Sequence, residues 1–385
     1  MTRTAGRAGR RGGAPRGQDR PGGPAAVTPA LPPRVRLLIL AAYLLIAAAV
    51  TVDLATGPTY TFSPLLAAVP VLASTGARRP AVPLAAGGVA LLLVVVLSLL
   101  NSDVSAVVHI TAGAAVLAVT FTSAATVVLV RTRERELATV RTVAEAAQRA
   151  LLRPVPARVG PLRVAVRYVA AAAESRIGGD LYEVVDTPFG VRLLLGDVRG
   201  KGLAAVETVA DVLGVFRDAA RSEPDLSAVA VRLDAALARR PGDERQGGTP
   251  EFVTAVLVGV PGPGRPAVVV NCGHPPPLLL RGGAVTEVRP ARFAPPLALL
   301  GLVGGGYPAA ELAMEPGDGL VLYTDGVSEA RDRAGRFYPL AGRLAALPDR
   351  DPDALVDALL ADVRAYSGRA GPADDVAVLV VRREE

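Results

Sequence analysis

Several aspartates in this 385-residue chain have neighbours suited to one kind of chemistry. Asp180 follows two glycines, Asp197 follows Gly196, Asp325 precedes Gly326, and Asp374 and Asp375 stand side by side. Hard divalent cations such as Mg²⁺ or Mn²⁺ take carboxylate oxygens. Carboxylates crowded without a cation would have raised pKa values. Two cations held a few ångströms apart would supply a strong nucleophile from water and neutralise a phosphoryl group. The plain alternative is a set of solvated aspartates at strand ends, and one such placement is commonplace. Four, each beside glycine or a second aspartate, favour a common rim.

The elements around these residues are organised to bring them together. Residues 181–186 and 191–196 read as two Val/Leu-rich strands about the turn Thr187-Pro188-Phe189-Gly190. Paired about that turn, they set Asp180 opposite Asp197. Residues 319–324 read as a buried strand delivering Asp325 at its end, and 376–382 as a buried strand with Asp374 and Asp375 at its start. Adjacent antiparallel strands would join those ends. Further strands are expected at 163–170, 252–260, 267–272, 277–280 and 310–314, helices at 203–220, 225–239, 339–347 and 352–366, and a loop at 243–249. Strands in succession, with helices grouped between blocks, argue an α+β domain with an antiparallel core. The absence of strand–helix alternation and of a glycine-rich phosphate loop disfavours a doubly wound nucleotide fold.

Composition divides the rest of the chain. Half of the residues are hydrophobic, at 51%, high enough to imply a membrane segment. Residues 1–33, rich in Arg, Gly, Pro and Ala, cannot bury a core. They are expected to form a disordered cytoplasmic arm attracted to anionic lipid. Lacking interleaved aromatics, the arm is a poor candidate for nucleic acid. It also lacks the pattern of a signal peptide. Residues 34–130 are almost continuously apolar, with four candidate spans at 35–55, 60–76, 81–100 and 106–130. Arg78 and Arg79, and Arg131, Arg133 and Arg135, alternate with loops free of Lys and Arg. That places both ends in the cytoplasm of a multi-pass cell-membrane protein. His109, near the start of the fourth span, reads as an interfacial group.

Residues 131–156 are expected to be a linker, helical over 131–152 and stopped by Arg153-Pro154-Val155-Pro156. Leu137, Val140, Ala144, Ala147 and Leu151 recur at heptad spacing. They suit either a parallel homodimer helix or packing on the chain's own domain. Residues 157–385 make one further domain of ordinary size. The single cysteine, Cys272, excludes an internal disulfide and reads as small-residue packing at a strand end.

This last domain resembles the SpoIIE-type bacterial branch of the metal-dependent, protein phosphatase 2C-like (PPM) serine/threonine phosphatases. The pieces that carry the resemblance are Ile177-Gly178-Gly179-Asp180-Leu181-Tyr182, Gly196-Asp197-Val198-Arg199-Gly200-Lys201-Gly202, Phe252-Val253-Thr254-Ala255, Asn271-Cys272-Gly273-His274-Pro275-Pro276, Tyr323-Thr324-Asp325-Gly326-Val327-Ser328-Glu329-Ala330 and Ala373-Asp374-Asp375. The resemblance implies two facing antiparallel β-sheets flanked by helices, an αββα sandwich, with two Mn²⁺ or Mg²⁺ ions at one edge. It implies that Asp197 bridges both metals, that the Val198 carbonyl is a ligand, that Asp325 and Asp374 complete the site, and that Asp180 binds near the first metal, directly or through water. Hydrolysis would proceed by metal-activated water without a phosphoenzyme. Asp375 and Gly326 would support the site.

Where the family often has a hydroxyl residue two positions after the paired aspartates, this chain has Ala377. Arg199 replaces a frequent Ser, and reads equally as a contact to substrate phosphate or as a surface ion pair. Lys201 reads as a turn residue and His274 as structural rather than as a general acid. The expected activity is hydrolysis of phosphoserine or phosphothreonine on a cytoplasmic regulatory protein, such as an anti-sigma-factor antagonist. A pseudophosphatase docking module and a phosphohydrolase of a non-protein substrate are the competing readings.

Overall fold

The computed structural model describes residues 43, 44, 46–48, 51, 52, 55, 63–100, 103–170, 178–240, 251–347, 351–368, 371 and 374–384. The expected arm at 1–33, most of the first expected span, Ile177, Ala373 and the loop at 243–249 lie outside the described residues. The chain divides into two compact units, Met1–Glu134 and Arg135–Glu385.

In the first unit, a 3₁₀ turn Ser63–Ala67 leads into a short helix, Ala68–Ser74. The second expected span, 60–76, is therefore too short, as one helix, for the roughly 20 residues that cross a bilayer core. It stops at Thr75 and Gly76, the latter with φ +83°. The helix Ala81–Leu100 matches the third expected span in both bounds. The fourth begins where expected, and one helix, Ala106–Leu151, continues through the helical linker expected at 131–152. No glycine or proline occurs between Gly113 and Pro154 to break it. Leu66, Ala90, Val94, Leu97, Ala112 and Val116 form this unit's core. His109 is buried among protein atoms, and neither ring nitrogen has a hydrogen-bond partner.

The second unit contains eleven described strands in two antiparallel sheets. The strands are β1 Arg158–Val159, β2 Leu162–Val169, β3 Asp180–Thr187, β4 Gly190–Val198, β5 Val253–Val260, β6 Ala267–Cys272, β7 Leu278–Arg281, β8 Ala284–Glu287, β9 Ala309–Leu312, β10 Gly319–Tyr323 and β11 Val376–Arg383. One sheet runs β1-β2-β11-β10-β7-β8 and the other β3-β4-β5-β6-β9. β1 and β8 were not expected; two and four residues long, they show no distinct period.

The central strands are apolar on both faces because each sheet is covered twice. Between the sheets, Val164, Leu193, Leu195, Val256, Val258, Leu320, Leu322 and Leu379 share one core. On its outer face the five-stranded sheet packs Leu181, Leu194 and Leu257 against Val209, Val212, Phe216 and Leu233 of the helices Leu203–Ser222 and Leu226–Ala238. The six-stranded sheet packs Val321, Val378 and Val380 against Leu344, Leu355, Val356 and Leu359 of the helices Leu340–Ala346 and Pro352–Ser367. The result is a helix–sheet–sheet–helix sandwich, so a strand such as β4 is buried along most of its length rather than alternating.

Candidate metal centre and cleft

The site is built from strand ends at one rim. The β3–β4 register pairs Asp180 with Asp197, and the β4–β5 register pairs Asp197 with Thr254. β10 pairs with β11 from Gly319↔Arg382 to Tyr323↔Val378. That register sets the residues after Tyr323 beside those before Val376. Asp325 is the first residue of a short helical turn, Asp325–Ser328, rather than the last of a strand.

Each carboxylate carries the mark of its neighbours. Asp180 is 3% exposed. Burial and the charge of Asp197 drive its carboxyl well above the ordinary carboxylate range, against the hydrogen bond from Thr324. Asp197 is pushed up to about 7 by burial and then by Asp325, Asp374 and Asp375, with Lys201 opposing. Asp325 is raised by burial, then by Glu329 and Asp374, with the Gly326 N–H and Lys201 opposing. Asp374 accepts from Lys201 Nζ at 2.8 and 3.1 Å. It also accepts the Asp375 N–H at 3.0 Å.

Asp375 is buried and accepts from the Tyr168 hydroxyl. Two glycines close around it. A Cβ on Gly178 would fall 1.7 Å from Asp375 Oδ2, and one on Gly326 would fall 1.9 Å from the Asp375 carbonyl oxygen. The Val198 carbonyl faces Gly179, where a Cβ would approach it to 2.3 Å. None of these three glycines leaves room for a side chain.

The donor set fits divalent cations in type and charge: several carboxylates and a backbone carbonyl, all hard oxygens. Burial, with repulsion from neighbouring carboxylates added, raises three of them. The set is not closed in advance, because among the described residues no three His, Cys, Asp or Glu side chains already form a ligand cage. Lys201 pairs with Asp374, so it is an ion-pair partner and not merely a turn residue.

Four supporting residues were not singled out from the sequence. Thr324 Oγ1 donates to Asp180 Oδ2 at 2.9 Å and accepts the Ala377 N–H at 2.9 Å. A hydroxyl is thus present beside Ala377, where the family pattern would supply one from the side chain at 377 itself. Tyr168 holds Asp375. Gln148 Nε2 reaches the carbonyls of Gly178 and Asp180 at 3.3 and 3.4 Å. Thr254 Oγ1 lies 3.0 Å from His274 Nδ1. Thr324 and Thr254 stood inside the quoted motifs; Tyr168 and Gln148 carried no local signal.

Beside the rim lies an open cleft of about 490 Å³ lined by Asp197, Arg199, Phe252, Thr254, Gly273, His274, Pro275 and Asp325. The Arg199 guanidinium stands over the Phe252 ring, 5.1 Å from its centroid. His274 is held by its neighbour Asn271, which accepts its N–H at 2.8 Å and donates to its carbonyl at 2.9 Å. Burial lowers its imidazole to about 3, against a smaller opposing pull from the Tyr323 backbone. It is therefore neutral at pH 7 and suits a structural place in the wall. Cys272 is fully buried, and burial raises its thiol, consistent with packing.

Two facing antiparallel sheets between helix layers, with an acidic rim at their strand ends, have the architecture of a PP2C-type domain. The solved PP2C domain of SiaA from Pseudomonas aeruginosa is similar, with 20% identity and a TM-score of 0.54 over 66% of this chain and 98% of that one. The RsbU and RsbW domains of a Mycobacterium tuberculosis protein match with 24% identity and a TM-score of 0.48, over 59% of this chain and 61% of that one. The PP2C domain and regulatory fragment of SpoIIE from Bacillus subtilis match with 19% identity and a TM-score of 0.47, over 58% and 64%. The chain thus spans less than two thirds of the length of these last two. Residues 187–384, slightly more than half of the chain, match the family described as Stage II sporulation protein E (SpoIIE). The chain belongs to that family.

Proposed function

We propose that the chain is a membrane-anchored phosphatase that hydrolyses phosphoserine or phosphothreonine on a cytoplasmic regulatory protein, with an anti-sigma-factor antagonist as the expected kind of substrate. The observation that carries this reading is the strand register that pairs Asp180 with Asp197 at one rim, beside an open cleft lined by Asp197 and Asp325. Asp197, Asp325, Asp374 and the Val198 carbonyl would hold two Mn²⁺ or Mg²⁺ ions, with Asp180 close to the first. When bound, such ions supply a water nucleophile at neutral pH and offset phosphoryl charge.

The chain's own residues prepare that chemistry. Thr324 orients the Asp180 carboxylate, and Tyr168 fixes Asp375, whose backbone N–H in turn holds the Asp374 carboxylate. Arg199, exposed at the cleft, is placed to take a phosphate oxygen of the substrate. The open cleft suits a phosphorylated side chain presented on a protein surface better than an enclosed small molecule.

Membrane anchorage is supported by the helices Ala81–Leu100 and Ala106–Leu151, both long and apolar enough to span. They carry outward large apolar side chains such as Leu92, Leu99, Val107, Ile110 and Phe121. With the arginine pattern, this supports a multi-pass protein with both ends cytoplasmic. A homodimer through 131–152 would use only part of the heptad stripe. Ala144, Ala147 and Leu151 are committed to Val206 of the same chain, whereas Leu137 and Val140 are exposed.

The test is turnover of a phosphoserine protein by the full-length chain with Mn²⁺, against Asp197→Asn. Loss of roughly 10²-fold or more is expected for the variant, the scale of removing a group that stabilises the transition state. Equal rates for the two would refute the assignment.

A further inference from the structure

Asp234 lies in the helix Leu226–Ala238, outside the acidic rim, and is buried without a cationic partner among the described residues. One of its oxygens, Oδ1, gathers three donors from a single segment. These are the Ala298 N–H at 2.7 Å, the Leu300 N–H at 3.3 Å and the Tyr307 hydroxyl at 2.7 Å. Ala298 has φ +76°, the sole non-glycine residue with positive φ among those described. Such a conformation persists where the surroundings enforce it.

The segment so gripped backs the cleft. Leu297 exchanges both backbone hydrogen bonds with Val253, at 2.8 and 3.2 Å, and Val253 adjoins Phe252 and Thr254, which line the cleft. Ala294 bridges Cys272. Pro296 presses on Gly273, where a Cβ would fall 2.8 Å from the proline ring, and Gly273 precedes His274 and Pro275 in the cleft wall. The Tyr307 hydroxyl lies 3.3 Å from the Pro296 carbonyl.

We propose that Asp234 is a positioning residue for protein substrate: by clasping 298–307 it sets the cleft wall formed by residues 252–254 and 273–275. The assignment rests on the phosphatase reading above. It acts through an acceptor atom rather than a charge, so Asp234→Asn, which keeps Oδ1, preserves function, and Asp234→Ala does not.

The experiment compares full-length wild type, Asp234→Ala, Asp234→Asn and Tyr307→Phe on a phosphoserine protein and on a small aryl phosphate, both with Mn²⁺. Hydrogen exchange over 296–300 is followed alongside. For Asp234→Ala, KM for the phosphoprotein rises about tenfold or more, the scale of a lost buried hydrogen-bond cluster. kcat/KM for the aryl phosphate and the Mn²⁺ dependence stay within about twofold, since the rim is untouched. Asn restores KM, and exchange at 296–300 accelerates in Ala only. Tyr307→Phe, losing one donor of three, raises KM in the same direction by less, and stands in if the Ala variant does not fold. Equal loss on both substrates, or no change on either, overturns the assignment while leaving the phosphatase reading intact. A wild type that hydrolyses neither substrate overturns both.

Discussion

Removing divalent cations should make the 135–385 unit less stable as pH rises, opposite to the usual effect of ionising carboxylates. Asp197 has its carboxyl near 7 in the fold against an ordinary 3.8. Below about 4 the group is protonated in both states and costs nothing. Between about 4 and 7 the unfolded chain releases the proton and the native state retains it. Stability then falls by about 1.4 kcal/mol per pH unit for one such group. The accumulated loss at pH 7 and above is about 4 kcal/mol, an upper figure because local relaxation and water entry reduce it. Asp180 and Asp325 push in the same direction. For a domain of this size about 4 kcal/mol corresponds to roughly 10 °C in the melting midpoint.

The assay is scanning calorimetry of the full-length chain in chelator from pH 4.5 to 8, following the transition of the 135–385 unit. Wild type should melt lower at pH 7.5 than at pH 5, Asp197→Asn should be nearly flat over that window, and Mn²⁺ at pH 7.5 should restore the wild-type midpoint. A chelated wild type that is as stable at pH 7.5 as at pH 5, or an Asn variant with the wild-type slope, would refute the reasoning. Either result would mean that the rim carboxylates are neither crowded nor held short of solvent as described.

Thr324→Val should cost about 2–4 kcal/mol, because it leaves the buried Ala377 N–H and one Asp180 oxygen unpaired. It should also move Mn²⁺ affinity to higher pH by removing the bond that holds Asp180 down; an unchanged melting midpoint would count against it. Lys201→Met should tighten Mn²⁺ binding by about three- to tenfold at low ionic strength and less at high salt, since a competing cation leaves Asp374. Weaker binding in calorimetry would show that the ammonium does not compete. Leu137→Glu combined with Val140→Glu should convert a dimer to a monomer by light scattering, and a wild type already monomeric would remove the helix from the dimer interface.

The hairpin shows how far local pattern reaches. Turn chemistry at 187–190 and the Val/Leu runs on either side set a register that opposes Asp180 to Asp197, because a strand's side-chain period of two leaves few ways to pair. Long elements with strong periods, such as the helices 203–222 and 352–367, were legible to within two residues. The second candidate span was legible only as an apolar stretch. Its apolar composition covered 60–76, but composition does not register where the backbone leaves a helix, and the helix ends at Ser74. The helix expected over 131–152 is there, joined without interruption to the apolar stretch before it, because a change from apolar to charged side chains does not end a helix.

Sequence alone determined the aspartates, the strands that carry them and the family to which they belong, because strand period, turn residues and short motifs are properties of neighbours along the chain. Only the tertiary structure decided that Lys201 binds Asp374, that Thr324 supplies the hydroxyl beside Ala377, that Gln148 and Tyr168 reach the rim, and that Ala144 and Leu151 face the same chain. These pairings join residues far apart in sequence. Their distances follow from how two sheets and four helices stack, and no local propensity encodes that geometry.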